Sequence, residues 1–341
     1  MTVLVTGATG FIGRVLVERL VATHGAERVI CLARPERDPD RADARRRFQA
    51  LGVRLIDGDL TDETVSREPA PPIDVVFHLA ANIDTAARLR DLRVNDRGTS
   101  HLLGWLAPVL PGVRVMYTSS VAALDRSGRP FAPLDESSPC SPRTMYGLTK
   151  LRGEQILQSE ADRYPYTYTI LRLGTIYGPG AKPGGLFTKL ITLAVISSPL
   201  ARLNWPGRVS VMHVDDAVDL LVELAHHPKA ANEIYCVANP DAPTVGELAQ
   251  HVARACGRPR PPLVLPSWLW GVARRVAWWP GIQFAASFIA GQMYWRFTLL
   301  IDNVFWLDTR KLQTIWTRAP MDLDAGLTDM ISALVEIVTK F

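Results

Sequence analysis

The run "TVLVTGATGFIGRVLVERL", Thr2 to Leu20, constrains the fold more than any other part of this 341-residue chain. An apolar, β-branched strand is followed at once by Gly7, Gly10 and Gly13, and then by an amphipathic stretch reaching Thr23. Glycines at that spacing allow a tight turn, close approach of a pyrophosphate, and close packing of helix on strand, with the helix N-terminus facing the phosphates. Three glycines alone would serve a packed turn equally well. The strand–turn–helix context that a dinucleotide loop requires is present here, and a dinucleotide-binding loop is the expectation.

The same alternation continues. "RVICLA", "VRLIDGD", "DVVFHLAA", "RVMYTSS" and "YTYTILRLG" read as strands, separated by helical stretches such as Val94 to Leu106 and Tyr146 to Glu160. Strands alternating with helices predict an α/β fold, a Rossmann-type doubly wound parallel sheet covered on both faces. From about Ile176 prolines and glycines break the pattern, and only "VMHVDDAVDLLVELA" and "NEIYCVA" resemble the earlier units. The expected division is a cofactor domain of residues 1–175 plus 209–238. A smaller, discontinuous C-terminal substrate domain would take 176–208 plus 239–341, with an apolar insert at 264–306.

Charge and cysteine usage exclude several classes. The net charge is +4, and the arginines of "RPERDPDRADARRRF" alternate with acids and carry no interleaved aromatics, so a solvated helix face is expected and nucleic-acid binding is not. Cys31, Cys140, Cys236 and Cys256 are widely spaced, which fits neither a disulfide framework nor a zinc site. No metal is expected. No basic n-region or cleavage site precedes the first strand, so a cytoplasmic location is expected, with membrane association through the apolar insert left open.

The second strand ends in Ala33, where an acid would accept from a ribose 2′-hydroxyl, and Arg34 and Arg37 follow. A guanidinium there suits a 2′-phosphate, so NADP(H) is favoured and NAD stays open; a surface arginine without a ligand is the bland alternative. "TMYGLTK" places Tyr146 and Lys150 at i and i+4, on one helix face. The lysine is expected to lower the phenol's pKa, so that Tyr146 can exchange a proton with a reacting oxygen. Ser119 and Ser120 close the strand before them, at the carboxyl edge where ligands of such sheets bind, although a serine there can simply cap a turn. His78 and His213 lie on apolar segments and are read as hydrogen-bonded core histidines, and Asp215 and Asp216 as a helix cap and a loop tie.

With these residues assembled, the chain resembles the extended short-chain dehydrogenase/reductase superfamily, also called the NAD-dependent epimerase/dehydratase family. The likeness spans about residues 1–260. "TGATGFIG" resembles its nucleotide loop, which implies cofactor contacts at Gly7, Thr9, Gly10, Phe11, Ile12 and Gly13. "GDLTD" resembles the segment whose acid, here Asp59, approaches the adenine beside Leu60, and "FHLAA" the strand end that lines the cofactor at Ala80 and Ala81. "VNDRGT" resembles the segment whose asparagine, here Asn95, supports the active site. "TSS" with "YGLTK" resembles the Ser–Tyr–Lys set, Ser120, Tyr146 and Lys150, with Ser119, Tyr146 and Lys150 also beside the cofactor. "LRLGTIYGPG" resembles the stretch at the nicotinamide, including Thr175, and "VMHVDDAVDLLV" the return helix.

Nucleotide-sugar members of that superfamily usually carry an asparagine where this chain has Thr175, and an arginine before "HVDD" that is only approximated here by a displaced Arg208. The resemblance therefore leans towards the branch of 3β-hydroxysteroid dehydrogenases and dihydroflavonol-type ketone reductases. It implies an NAD(P)-dependent dehydrogenase or ketone reductase for a small hydrophobic, sterol- or polyketide-like alcohol or ketone. A nucleotide-sugar epimerase or dehydratase with retained NAD is the alternative, and a non-catalytic NADP-binding scaffold the third reading. The family's dimers pair helices matching 91–106 and 146–160, which implies a homodimer. The stretch "RVAWWPGIQFAASFIAGQMYWR" reads first as a buried or pocket-lining insert and second as a membrane-surface helix, giving a peripheral contact through 268–299. A span is the least favoured, because it would part Asp308, Lys311 and Pro320 from the domain they close.

Overall fold

The computed structural model describes all residues except 36–38, 85–86, 125–131, 143, 182–183, 278, 280–297, 299, 303–304 and 340–341. Arg37 and most of the tryptophan-rich stretch therefore lie outside the described residues.

The first strand, β1 (Val3–Thr6), runs into α1 (Phe11–His24), and the return strand β2 (Val29–Ala33) is followed by α2 (Pro39–Ala50) and β3 (Arg54–Asp57). Next come β4 (Val75–His78), a short turn α3 (Leu89–Leu92), α4 (Arg97–Leu106), β5 (Arg114–Ser120), α5 (Met145–Ala161) and β6 (Thr167–Leu173). Beyond these lie β7 (Thr175–Tyr177), α6 (Leu186–Val195), β8 (Val211–His213), α7 (Val214–His226), β9 (Glu233–Val237), α8 (Val245–Ala255), α9 (Ser267–Ala277), α10 (Arg310–Gln313) and α11 (Leu323–Thr339).

Among the described residues seven strands form one sheet in the order β3-β2-β1-β4-β5-β6-β9. Every pairing is parallel. The central strands β1, β2 and β4 are buried on both faces, which is why they read as near-continuous apolar runs rather than alternating ones. Leu16, Val17 and Leu20 of α1 share one apolar layer with Val218, Leu221 and Leu224 of α7. Leu102, Leu103 and Leu106 of α4 and Leu157 of α5 build the opposite layer. Because strand order reverses between β1 and β4, their carboxyl ends diverge and open a crevice, the position where sheets of this kind take ligands.

A separate apolar cluster joins Tyr177, Phe187, Leu190, Val211, Leu248, Val252 and Leu327, bringing β7, β8, α6, α8 and α11 together beside the sheet. The segment after the tryptophan stretch returns to the large sheet. Asp308 N donates to Leu134 O at 2.8 Å, and Lys311 Nζ donates to Glu233 Oε2 at 2.7 Å and to Ile234 O at 2.8 Å on the edge strand. His213, rather than Asp215, caps α7, accepting from Asp215 N at 3.3 Å. The imidazole already occupies the end of the helix, and Asp215 turns instead towards Arg19 at 3.9 Å. Asp216 ties the chain, accepting from Met321 N at 2.8 Å.

Candidate active site

The floor of the crevice is set by glycines. Gly7 holds φ at +71°, which an L side chain adopts only with strain, and a Cβ there would lie 2.6 Å from Ala80 N. A Cβ on Gly13 would lie 2.2 Å from Gly7 O, so helix and turn touch through bare backbone. Gly10 is the N-cap of α1 and offers no side-chain acceptor, which leaves the first amides of the helix free to bind an anion. A cleft of about 310 Å³ opens above, lined by Gly7, Ala8, Thr9, Gly10, Ala33, Arg34, Asp59, Leu60, Ala80 and Ala81. Thr61, Asn82, Arg41, Asp91 and Val94 complete it, none of them singled out in the sequence. Phe11, Ile12, Gly13 and Thr175 are not among its lining residues. Gly13 is spent on packing α1, and Thr175 on pairing with β8, where its N donates to Ser210 O at 2.9 Å.

At the rim beyond β2, the Arg34 guanidinium is half exposed, 3.9 Å from the Asp59 carboxylate, and Arg41 of α2 reaches the same cleft. Asp59 also accepts from Thr61 N and Thr61 Oγ1 at 2.9 and 2.8 Å, which fixes its orientation. His78 is a core residue: Nδ1 meets Thr6 Oγ1 at 2.7 Å and Nε2 meets Thr99 Oγ1 at 3.1 Å. Burial, reinforced by the nearby Lys150 charge, pushes its pKa down to about 3, so it is neutral.

Helix α5 carries the reacting groups close to β5 because two of its residues lack side chains. A Cβ on Gly147 would fall 2.1 Å from Ala122 O, and one on Gly153 2.2 Å from the Tyr117 hydroxyl. Tyr146 is thereby brought against Ser120, whose hydroxyl hydrogen-bonds the phenol. The same Ser120 Oγ accepts from Ala122 N at 3.2 Å, so the capping role and the site role coexist. Lys150 is buried, with Nζ 4.2 Å from the Tyr117 ring centroid. Desolvation drives its pKa down to about 7, opposed by the Glu154 carboxylate one turn further along α5. The phenol of Tyr146 is pushed up by burial, and what pulls it back is the Ser120 hydrogen bond. Sequence reasoning expected Lys150 to lower it; in the structure burial dominates and the Ser120 hydrogen bond is what opposes it.

Asn95 is fully buried and acts through others. Its Oδ1 accepts from Asn82 N at 2.8 Å, and its Nδ2 donates to Asn82 O at 2.9 Å and to Thr149 Oγ1 at 3.0 Å. It therefore pins the loop after β4 to the first turn of α5, since Thr149 Oγ1 donates in turn to Tyr146 O at 2.9 Å. Ser119 is withdrawn from the cleft, because its hydroxyl donates a short bond to Glu154. That carboxylate also receives Arg172 Nη2 at 2.8 Å and Nε at 3.2 Å. The sequence reading missed this buried pair. Its available signal was Glu154 at i+4 from Lys150, one helical turn below the candidate acid–base pair.

Glycine cradle, uncapped helix and Tyr–Lys helix together define a nicotinamide-dependent enzyme of the Rossmann type, and the cradle, which any side chain at Gly7 would fill, fits a dinucleotide. The chain belongs to the NAD dependent epimerase/dehydratase family, whose profile matches residues 3–238. A UDP-glucose 4-epimerase of Mycolicibacterium smegmatis is 30% identical over 274 residues, covering 77% of this chain and 85% of that one. A dTDP-4-dehydro-6-deoxy-D-allose reductase of Streptomyces bikiniensis is 31% identical over 284 residues, covering 76% and 82%. Among solved structures, a dTDP-glucose 4,6-dehydratase of Streptomyces venezuelae shares the fold, with a TM-score of 0.74, 21% identity and coverage of 100% and 99%.

Proposed function

We propose that this enzyme is an NADP(H)-dependent dehydrogenase or ketone reductase whose substrate is a hydrophobic alcohol or ketone. One observation carries the substrate class. Where nucleotide-sugar members usually present asparagine and arginine, this chain has Thr175, held in a strand pair, and only a displaced Arg208. The Arg208 guanidinium donates to Ala242 O at 2.7 Å and stands 5.5 Å from the centre of the Trp306 ring. A guanidinium engaged by its own backbone and an indole is poorly placed to grip a diphosphate.

The residues divide the work. The α1 amides and the glycine loop hold the pyrophosphate of the dinucleotide, and Arg34 with Arg41 takes a 2′-phosphate. Bound there, the nicotinamide supplies hydride chemistry. Ser120 holds the substrate oxygen and Tyr146 exchanges a proton with it. Lys150 stabilises the phenolate and anchors the ribose, and Asn95 holds the Tyr146 turn in place. A panel of cyclic and linear ketones and alcohols, followed by NADPH absorbance, tests the reading. Turnover of an apolar ketone with NADPH is expected, and turnover confined to UDP- or dTDP-sugars would overturn it.

A second reading, a nucleotide-sugar epimerase or dehydratase that retains NAD, is favoured by nucleotide-sugar epimerases that match about three quarters of the chain. It requires NAD to remain bound through purification, which extraction and mass analysis of the bound nucleotide would detect.

A further inference from the structure

Helix α9 is apolar on two opposite faces. At about 100° per residue, Trp270, Ala273 and Ala277 point to one side, and Trp268, Val272 and Val276 to the other, with Trp279 continuing that second row. The first face is packed. Trp270 lies with its ring centroid 5.1 Å from that of Trp205, its Nε1 donates to Asn204 Oδ1 at 3.4 Å, and Ala277 and Ile301 close the cluster. Arg274 adds a tether, with Nε donating to Ile301 O at 2.6 Å. The helix is therefore held rigidly, and its second face is presented outward. Trp268 is 65% exposed and Trp279 66%, with Val272 and Val276 about half exposed between them.

The charge around this face selects the occupant. The chain between Glu247 and Asp302 contains no acid, and on α9 Arg274 is turned to Ile301 O, so Arg275 is the cation of the outward row. Arg275 is exposed and falls within the arc of the outward row, one turn from both Val272 and Trp279. Tryptophan and β-branched residues around a cation match the acyl–headgroup boundary of an anionic bilayer. Among the described residues no helix is long and apolar enough to cross a membrane, so α9 would lie in the surface plane.

We propose that α9 docks flat on an anionic lipid surface, with Trp268, Val272, Val276 and Trp279 entering the interface and Arg275 meeting lipid phosphate. The proposal stands on this face alone and is independent of which substrate the cleft accepts.

Flotation of the full chain with vesicles of phosphatidylcholine, with and without roughly 30% phosphatidylglycerol, tests it. The wild type should float with the anionic vesicles and much less with the neutral ones. Arg275→Glu should weaken partition roughly 10- to 30-fold. The triple variant Trp268→Ser, Val272→Ser, Val276→Ser should abolish it at an unchanged melting temperature, because all three side chains lie outside the packed face. Failure of the wild type to float overturns the proposal, as does equal partition of wild type and Arg275→Glu. So does a fall in oligomer mass in the triple variant without loss of lipid binding, which would make the face an interface between copies.

Discussion

The Glu154–Arg172 pair beneath the site offers the sharpest test of how it is held. Their side chains are 1% and 4% exposed. Glu154→Gln keeps the shape and an acceptor for Ser119 but strips the charge facing Arg172. A buried ion left without its partner costs roughly 3–5 kcal/mol. The retained amide oxygen places the loss near 3 kcal/mol, a fall in melting temperature of roughly 4 °C for a chain of this size. A second effect has the opposite remedy. Glu154 is the group that opposes desolvation at Lys150, so the variant should move the lysine below its value of about 7. Adding Arg172→Met removes the stranded guanidinium and should restore most of the stability, since apolar replacement of a buried pair is often close to neutral. It should leave the Lys150 shift uncorrected. Urea unfolding followed by tryptophan fluorescence reads the first effect, and the pH dependence of turnover reads the second. A single variant within about 0.5 kcal/mol of wild type would refute the reasoning. A double variant no more stable than the single one would do the same.

Other consequences can be read from the same geometry. Tyr146→Phe should lower kcat about a thousandfold while cofactor binding, measured by fluorescence titration, changes little. Arg34→Ala should raise KM for NADPH and leave NADH unchanged, and an equal effect on both coenzymes would remove the 2′-phosphate assignment. Gly153→Ala should destabilise the fold by about 1–3 kcal/mol, because its new methyl meets the Tyr117 hydroxyl, and Tyr117→Phe should relieve part of that in a double variant. Lys150 also links stability to pH. Its folded value of about 7 lies below the ordinary 10.5, so the unfolded chain binds more protons between those limits, and stability should rise with pH across that window. The rise should be shallower in Lys150→Met, measured by urea midpoints at several pH values.

What could be read from the sequence was what is local in it. The glycine loop spans eight residues and its geometry follows from strand, turn and helix in succession, so Gly7 and Gly10 could be placed from the sequence, whereas Asp59 at the rim came only through the family resemblance. Tyr146 and Lys150 share a helix face by spacing alone. Ser119 could not be assigned in this way. Whether its hydroxyl serves the cleft or Glu154 depends on which face α5 turns to β5, and on a carboxylate 35 residues away whose own partner is 18 residues further on. His213 is the buried, hydrogen-bonded histidine expected, but its role as the cap of α7 was not legible, because a histidine cap has no pattern of its own, whereas an acid pair at a helix start does. Asn82 carries no motif, and it enters the cleft only because Asn95 reads its backbone.

Desolvation is the common influence on the titrating groups of the site. It pushes His78 down to about 3, Lys150 down to about 7 and the Tyr146 phenol up, in each case towards the neutral form. A floor built this way disfavours any new charge unless a fixed partner meets it. For Tyr146 that partner is the Ser120 hydroxyl, and for Lys150 it is Glu154, whose own place is fixed by Arg172. The proton that Tyr146 exchanges is therefore influenced through two contacts along one face of α5. One comes from the end of β5 and the other from β6 through the buried ion pair. Gly147 and Gly153 are the residues that let α5 lie against Ala122 and Tyr117. The acid–base behaviour of the pair thus depends on backbone packing, and a methyl group on either glycine would disturb it before it reached any group that touches substrate.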